Sequence, residues 1–193
     1  MTGDCPAALL LQRWVERLVI GEGLCPFAAR PMAAGRVRIT CSDAINADDA
    51  YRDVLAEVEQ LWISDAALVE TTLLAVPGAL AEFADYLDVL DACEEALDEL
   101  GLASELQIAS FHPHYLFADE AEGDASHYTN RSPCPVFHLI RQESITRALA
   151  NWPDPEEIPS RNRRRMRELG VDYLRSLNAG LADPDRTPTR HPR

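Results

Sequence analysis

The chain has no lysine: all 18 of its Lys+Arg residues are arginine. That removes the Schiff-base amine, the phosphate-gripping lysine of a P-loop and any anchor for pyridoxal phosphate. No apolar run approaches the roughly 20 residues of a membrane span, and the N-terminus lacks the basic start and continuous apolar core of a signal peptide. We therefore read the protein as cytoplasmic, with no membrane partner. Positive charge is scarce too: 32 Asp and Glu leave a formal net charge of -14, which opposes a phosphate backbone and disfavours generic nucleic-acid binding. There is no CxxC pair, HExxH, GxGxxG or GxSxG elbow. The five cysteines are odd in number and form no tight framework, so they read as thiols of a reducing compartment rather than a disulfide scaffold.

What is present suits one compact unit: 193 residues, 47% of them hydrophobic. Leu11, Trp14, Val15 and Leu18 recur at helical spacing until Gly21 and Gly23 stop them. Arg36 to Thr40 alternates as a strand does. Tyr51, Val54, Leu55, Val58, Leu61 and Trp62 make the stripe of a second helix, favoured at its start by Asp48 and Asp49. Thr71 to Val76 reads as a buried strand, and Leu80 to Leu100 as a third helix closed by Gly101. Leu106 to Phe111 and Val136 to Arg141 read as two more strands. Glu143 to Ala150 is a short helix. This order predicts an α/β fold: a small mixed sheet of about four strands covered by helices, its first two crossovers parallel.

Residues 1–150 are expected to form that single domain, with 9 arginines against 25 carboxylates. Pro153, Pro155 and Pro159 then open a Pro/Arg-rich extension, residues 151–193. Ser160 is its expected N-cap for one docking helix carrying Met166, Leu169, Tyr173, Leu174 and Leu177. Beyond Ala182 we expect a frayed end. Arg161, Arg163, Arg164, Arg165 and Arg167 either neutralise the protein's own acidic surface or contact a partner.

Three groups of residues have chemical potential. Cys25 precedes Pro26, which suits the first position of a helix, so the thiol is expected to cap Phe27-Ala28-Ala29 and to gain thiolate character from their amides. Cys41 and Cys93 read as small core residues, and Cys5 as part of a flexible end. His112 stands where the third strand gives way to loop, the usual edge for α/β ligands, and His138 in the next strand could share that edge. His114 and His127 are expected to be exposed. Tyr128-Thr129-Asn130-Arg131-Ser132-Pro133 packs donors around one guanidinium, as an anion clamp or as an ordered turn. If Cys25, His112 and His138 converge they form a Cys-His₂ set that suits zinc, copper or iron. Cysteine-proline pairs at Cys5, Cys25 and Cys134 are also compatible with an axial haem thiolate.

Leu24-Cys25-Pro26-Phe27-Ala28 after a tryptophan-bearing helix, Ala109-Ser110-Phe111-His112-Pro113 with Tyr115 and Phe117, and Thr129-Asn130-Arg131-Ser132-Pro133 leading to His138, Leu139 and Arg141 resemble the bacterial family called domain of unknown function 1415. The resemblance spans about residues 8–178. It implies that Cys25, His112, Asn130, Arg131, Ser132, His138 and Arg141 belong to a shared signature, and it implies no activity. His114 and Cys134 depart from the family pattern, where an aspartate and a tyrosine are expected.

The resulting expectation is a small enzyme acting on an anionic metabolite. Cys25 would be nucleophile or redox thiol and His112 its acid or base, with Asn130, Arg131, Ser132, His138 and Arg141 holding substrate. The alternatives are a non-catalytic metal-, haem- or anion-binding module, and a partner-binding protein that docks through the arginine-rich last helix.

Overall fold

The computed structural model describes residues 5–150 and 152–183. Apart from Asp183, the expected frayed end lies outside them, as does His191.

The first helix, α1 (Pro6–Trp14), runs directly into a π-helical stretch, Val15–Ile20. A short helix α2 (Ala29–Ala33) leads into β1 (Val37–Cys41). Helix α3 (Ala47–Ile63) starts at Asn46, whose side chain accepts the Asp49 N–H at 2.9 Å, a local N-cap. Strand β2 (Thr71–Ala75), helix α4 (Phe83–Glu99) and strand β3 (Leu106–Phe111) follow. After the long loop come β4 (Val136–Arg141), α5 (Gln142–Leu149), α6 (Ile158–Leu169) and α7 (Val171–Ala179).

The sheet order is β1-β2-β4-β3. β1 and β2 are parallel, while β4 runs antiparallel to both β2 and β3. The fold is therefore the α/β type with a four-stranded mixed sheet. β3 points the same way as β1 and β2, but β4 separates it from them. On one face Val54, Val58 and Leu61 of α3 and Leu90, Cys93 and Leu97 of α4 pack against Leu74, Leu139 and Ile108. On the other, Leu11, Trp14 and Leu18 share a core with Ile39, Leu73 and Val136. Met166, Leu174 and Leu177 belong to that same core, so α6 and α7 close one side of the body.

Several local expectations are corrected. The third helix starts at Phe83, because Leu80 adopts φ 60°, a left-handed backbone no helix continues through. The last helix is two, broken at Gly170 with φ 79°. Ser160 is inside α6 rather than at its cap, and its hydroxyl donates to Glu157 O at 3.0 Å. Cys5 and Cys41 are not free thiols: they form a disulfide, with their Cα atoms 6.5 Å apart. The reason is topological. Packing α1 across the sheet brings its first turn beside the last residue of β1, within bridging range, which an odd cysteine count does not reveal. Arg163 reaches Asp119 at 2.8 Å and Glu120 at 3.1 Å, Arg165 reaches Glu22 at 2.7 Å, and Arg167 reaches Asp124 at 3.0 Å. These arginines are spent on the body's own carboxylates. Among the described residues no helix is long and apolar enough to cross a membrane.

Candidate functional site: an apolar cavity with one imidazole and one thiol

In a strand, alternate residues face alternate sides, and the register decides which side. His138 lies between Leu73 of β2 and Ala109 of β3. These three, with Phe111 and Ile140, form the floor of a cavity of about 310 Å³. Its other walls come from Trp14, Val15 and Val19, and from Phe27, Ala28 and Met32 around α2. Ala109 is small, which leaves space beside the imidazole. Trp14 meets Phe111 edge-on, ring centroids 5.2 Å apart. Trp14 is 1% exposed and its indole N–H has no acceptor among the described residues, although buried donors are nearly always paired. The wall segment Val15–Ile20 is π-wound, a rare geometry that recurs at functional sites.

The hydrogen bonds fix the His138 tautomer. Thr71 donates its single hydroxyl proton to Leu139 O at 2.6 Å, so its oxygen must accept from His138 Nε2 at 2.8 Å. The ring proton is then on Nε2, and Nδ1 carries a lone pair with no partner among the described residues. Burial pushes this imidazole down to about 4, so it is neutral at ordinary pH. The remaining accessible surface of His138 borders the cavity.

Cys25 is free and lines the same cavity. Burial raises its pKa above the ordinary thiol value, against the opposing pull of the Phe27 and Ala28 amides. Cys25 is not the helix cap expected: Pro26, Phe27 and Ala28 form a turn and α2 starts at Ala29 with Ala28 as its N-cap. Although the Phe27 and Ala28 amides favour the thiolate, desolvation outweighs them and the resting group is a neutral thiol. Cys93 and Cys134 are buried elsewhere and pushed up to about 12 by the same cause.

His112 is not at this cavity. Phe111 faces the cavity, so the next residue faces the α4 side, where His112 packs against Phe83 and Tyr86 at 5.2 Å each. It is 0% exposed. Its Nδ1 accepts the His114 N–H at 3.0 Å and its Nε2–H donates to Leu80 O at 2.9 Å. Both nitrogens are committed, and burial lowers the pKa. His112 thus clamps the left-handed turn at Leu80. His127, expected to be exposed, is fully buried, bonded to Phe117 N at 3.1 Å and Ala121 O at 2.8 Å; His114 is exposed. Among the described residues no group of three or more His, Cys, Asp or Glu could hold a metal ion, because the sheet separates His112 from Cys25 and His138.

The loop residues are held by their own backbone. Asn130 donates to Ser110 O at 3.0 Å, and its carbonyl oxygen accepts the His112 N–H at 3.1 Å. Arg131 donates to Tyr115 O at 3.1 Å and lies over the Tyr128 ring at 5.0 Å. Ser132 donates to Cys134 O at 2.5 Å. Arg141 donates to Leu61 O at 2.5 Å, Ser64 O at 2.7 Å and Val69 O at 3.3 Å, closing the end of α3. Each is placed away from the cavity wall.

The family model described as protein of unknown function (DUF1415) matches residues 8–176. The chain belongs to this family. No curated protein and no solved structure matches the chain. In this DUF1415 protein the structure brings Cys25 and His138 to one cavity and leaves His112, Asn130, Arg131, Ser132 and Arg141 outside it. Sequence reasoning missed the apolar walls, since Trp14 read as part of a helix stripe, Phe27 as part of the turn after Cys25 and Phe111 as the end of a strand. It also missed Arg30, Arg36 and Arg147, which with Glu70 line a second, wider groove beside the cavity. One signal was available: His112 directly follows Phe111, the last residue of β3, and continuing the strand's alternation sends the two to opposite sides.

Proposed function

We propose that this protein binds an apolar small molecule, or the apolar part of one, in the cavity between α1, α2 and the sheet. The observation that carries this reading is an imidazole with a free Nδ1, set with one thiol in a mostly apolar lining whose other polar residues are Glu70, Thr71 and Gln107. Sites for small molecules are typically concave and mostly apolar, with a few polar groups that orient the ligand. The volume of about 310 Å³ suits a chain or ring of modest size. Nδ1 accepts one hydrogen bond from the occupant and the thiol offers one weak donor.

A second reading, a cysteine-dependent enzyme, is favoured by the thiol and imidazole sharing one cavity. Its first step moves the Cys25 proton to His138 Nδ1 while sulfur adds to an electrophilic carbonyl carbon. The leaving group departs with that proton, and water then hydrolyses the thioester. The transfer is uphill, because burial holds the Cys25 thiol above its ordinary value and pushes the His138 imidazole down to about 4. Binding is therefore the conclusion, and reaction requires an occupant that reverses that balance.

The test is calorimetry with 1-octanol on the full chain. Wild type binds it, whereas Ala109→Ile and, separately, Ala28→Leu, which fill the cavity from floor and wall, abolish binding in folded protein. Unchanged binding in both variants overturns the reading. Hydrolysis of an octanoyl ester that is lost in Cys25→Ser and His138→Gln, but kept in His112→Asn, supports the second.

A further inference from the structure

The cavity and the neighbouring groove are not separate features. Phe27, Pro31 and Glu70 line both. The groove measures about 810 Å³ and its charged lining is Arg30, Arg36, Arg147 and Glu70. Residues 1–150 hold only 9 arginines against 25 carboxylates, yet three of those arginines meet here with a single carboxylate among the described lining residues. The described lining of this mouth therefore carries an excess of positive charge, opposite in sign to the chain's net charge of -14.

The pairing inside the groove leaves positive charge unspent. Arg36 Nη1 stands 2.9 Å from Glu70 Oε2, and Arg147 Nη2 stands 3.5 Å from Glu70 Oε1. The Arg36 contact lacks hydrogen-bond alignment, so Glu70 Oε2 is a buried acceptor with no donor among the described residues. Arg147 also reaches Glu143 at 3.2 Å. Arg30, exposed at the end of α2, has no partner among the described residues. Glu70 therefore sets the positions of two guanidinium groups, and Arg30 is unpaired. Guanidinium forks of this kind recognise carboxylate and phosphate oxygens.

We infer that the ligand is an amphipathic anion, with its apolar chain in the cavity over His138 and its carboxylate or phosphate monoester head on Arg30, Arg36 and Arg147. The inference rests on the cavity being a ligand site and adds the head group to it. It also places Cys25 close to where chain meets head, since the adjacent Pro26 and Phe27 line the groove.

The experiment is calorimetry on the oxidised full chain with three probes of one chain length: octanoate, octyl phosphate and 1-octanol. At least one anion binds about ten-fold tighter than 1-octanol, the worth of one charge-assisted hydrogen bond, and the tighter of the two names the head. Arg30→Gln, an exposed and unpaired position, removes most of that advantage and leaves 1-octanol unchanged; Arg147→Gln does the same if Arg30 proves redundant. From hexanoate to decanoate each methylene tightens binding about four-fold until the cavity is full. Equal affinity for anion and alcohol, or an anion advantage that survives in the Arg30→Gln/Arg147→Gln double variant, overturns the head-group assignment and leaves the cavity reading standing. A flat chain-length series places the chain outside the cavity and overturns the two-part ligand. If none of the three probes binds, the cavity reading fails as well.

Discussion

Lowering the pH from 7 to 4 should destabilise this protein through His138, and replacing His138 by Gln should remove that part of the acid sensitivity. The unfolded imidazole takes a proton near 6.5, whereas the folded one, buried under the cavity with only Thr71 beside Nε2, resists it until about 4. Between those values unfolding takes up a proton, so stability is full above 6.5 and falls as pH drops. At about 1.4 kcal/mol per pH unit the loss reaches at most about 3 kcal/mol, reduced by whatever water enters the cavity. Below about 4 both states are protonated and this contribution levels off. His112 is also lowered by burial, so the wild-type curve alone does not isolate His138. The difference between wild type and His138→Gln does. Asp124, held down to about 2 mainly by Ser126, adds a separate loss only below its ordinary value of 3.8. Urea unfolding at half-unit pH steps gives both curves from their midpoints at constant m-value. Parallel curves for wild type and His138→Gln from pH 7 to 4 would refute the placement of a neutral, solvent-poor imidazole there.

Four further outcomes follow from particular contacts. Removing the Cys5–Cys41 bridge, by reduction or Cys41→Ala, should lower stability by up to about 4 kcal/mol, since it closes a loop of sequence separation 36; urea midpoints with and without reductant measure it. Arg141→Ala should cost about 3 kcal/mol by freeing the carbonyls of Leu61, Ser64 and Val69, with Arg141→Lys recovering less than half because an ammonium lacks the planar fork. His112→Asn should destabilise by about 2 kcal/mol through the Leu80 turn while leaving Cys25 alkylation at its wild-type rate. Cys25 itself should react slowly with iodoacetamide at pH 7.5, accelerate as pH rises past its elevated pKa, and be protected by any bound occupant.

Much of the fold was legible because its signals are local. The alternation of β1, the short β-prone runs of β2 to β4 and the apolar stripes of α3 and α4 are written within single segments, and their bounds shift by only a few residues in the structure. Pairing order is not local: nothing in Val136 to Arg141 says that it inserts between β2 and β3. Gly170 was hidden because Met166 and Leu174 keep helical spacing across the break, whereas the positive φ that breaks it belongs to the backbone alone. At the site, Cys25 was visible through its Pro26 context, but its pKa was not, since burial depends on α1 and the sheet closing over it. His112 attracted attention as a strand-end imidazole, although period-two alternation from Phe111 sends it to the other face. The arginines of the groove come from α2, β1's approach and α5, three segments that only the folded chain brings together.

The sheet order also governs when this protein can exist during its synthesis. β1 can pair once β2 is complete at Ala75, and β3 is complete at Phe111, yet β2 and β3 are joined only through β4, which pairs with both. Until residue 141 leaves the ribosome, the inner edge of β2 and the inner edge of β3 are both open, and Leu73, Leu74 and Ile108 lack their central neighbour. Such edges are templates for pairing with other chains. Completion of β4 therefore acts as a single closing event that seals both inner edges, joins Leu73 to Ala109 across the floor of the cavity and sets His138 between them.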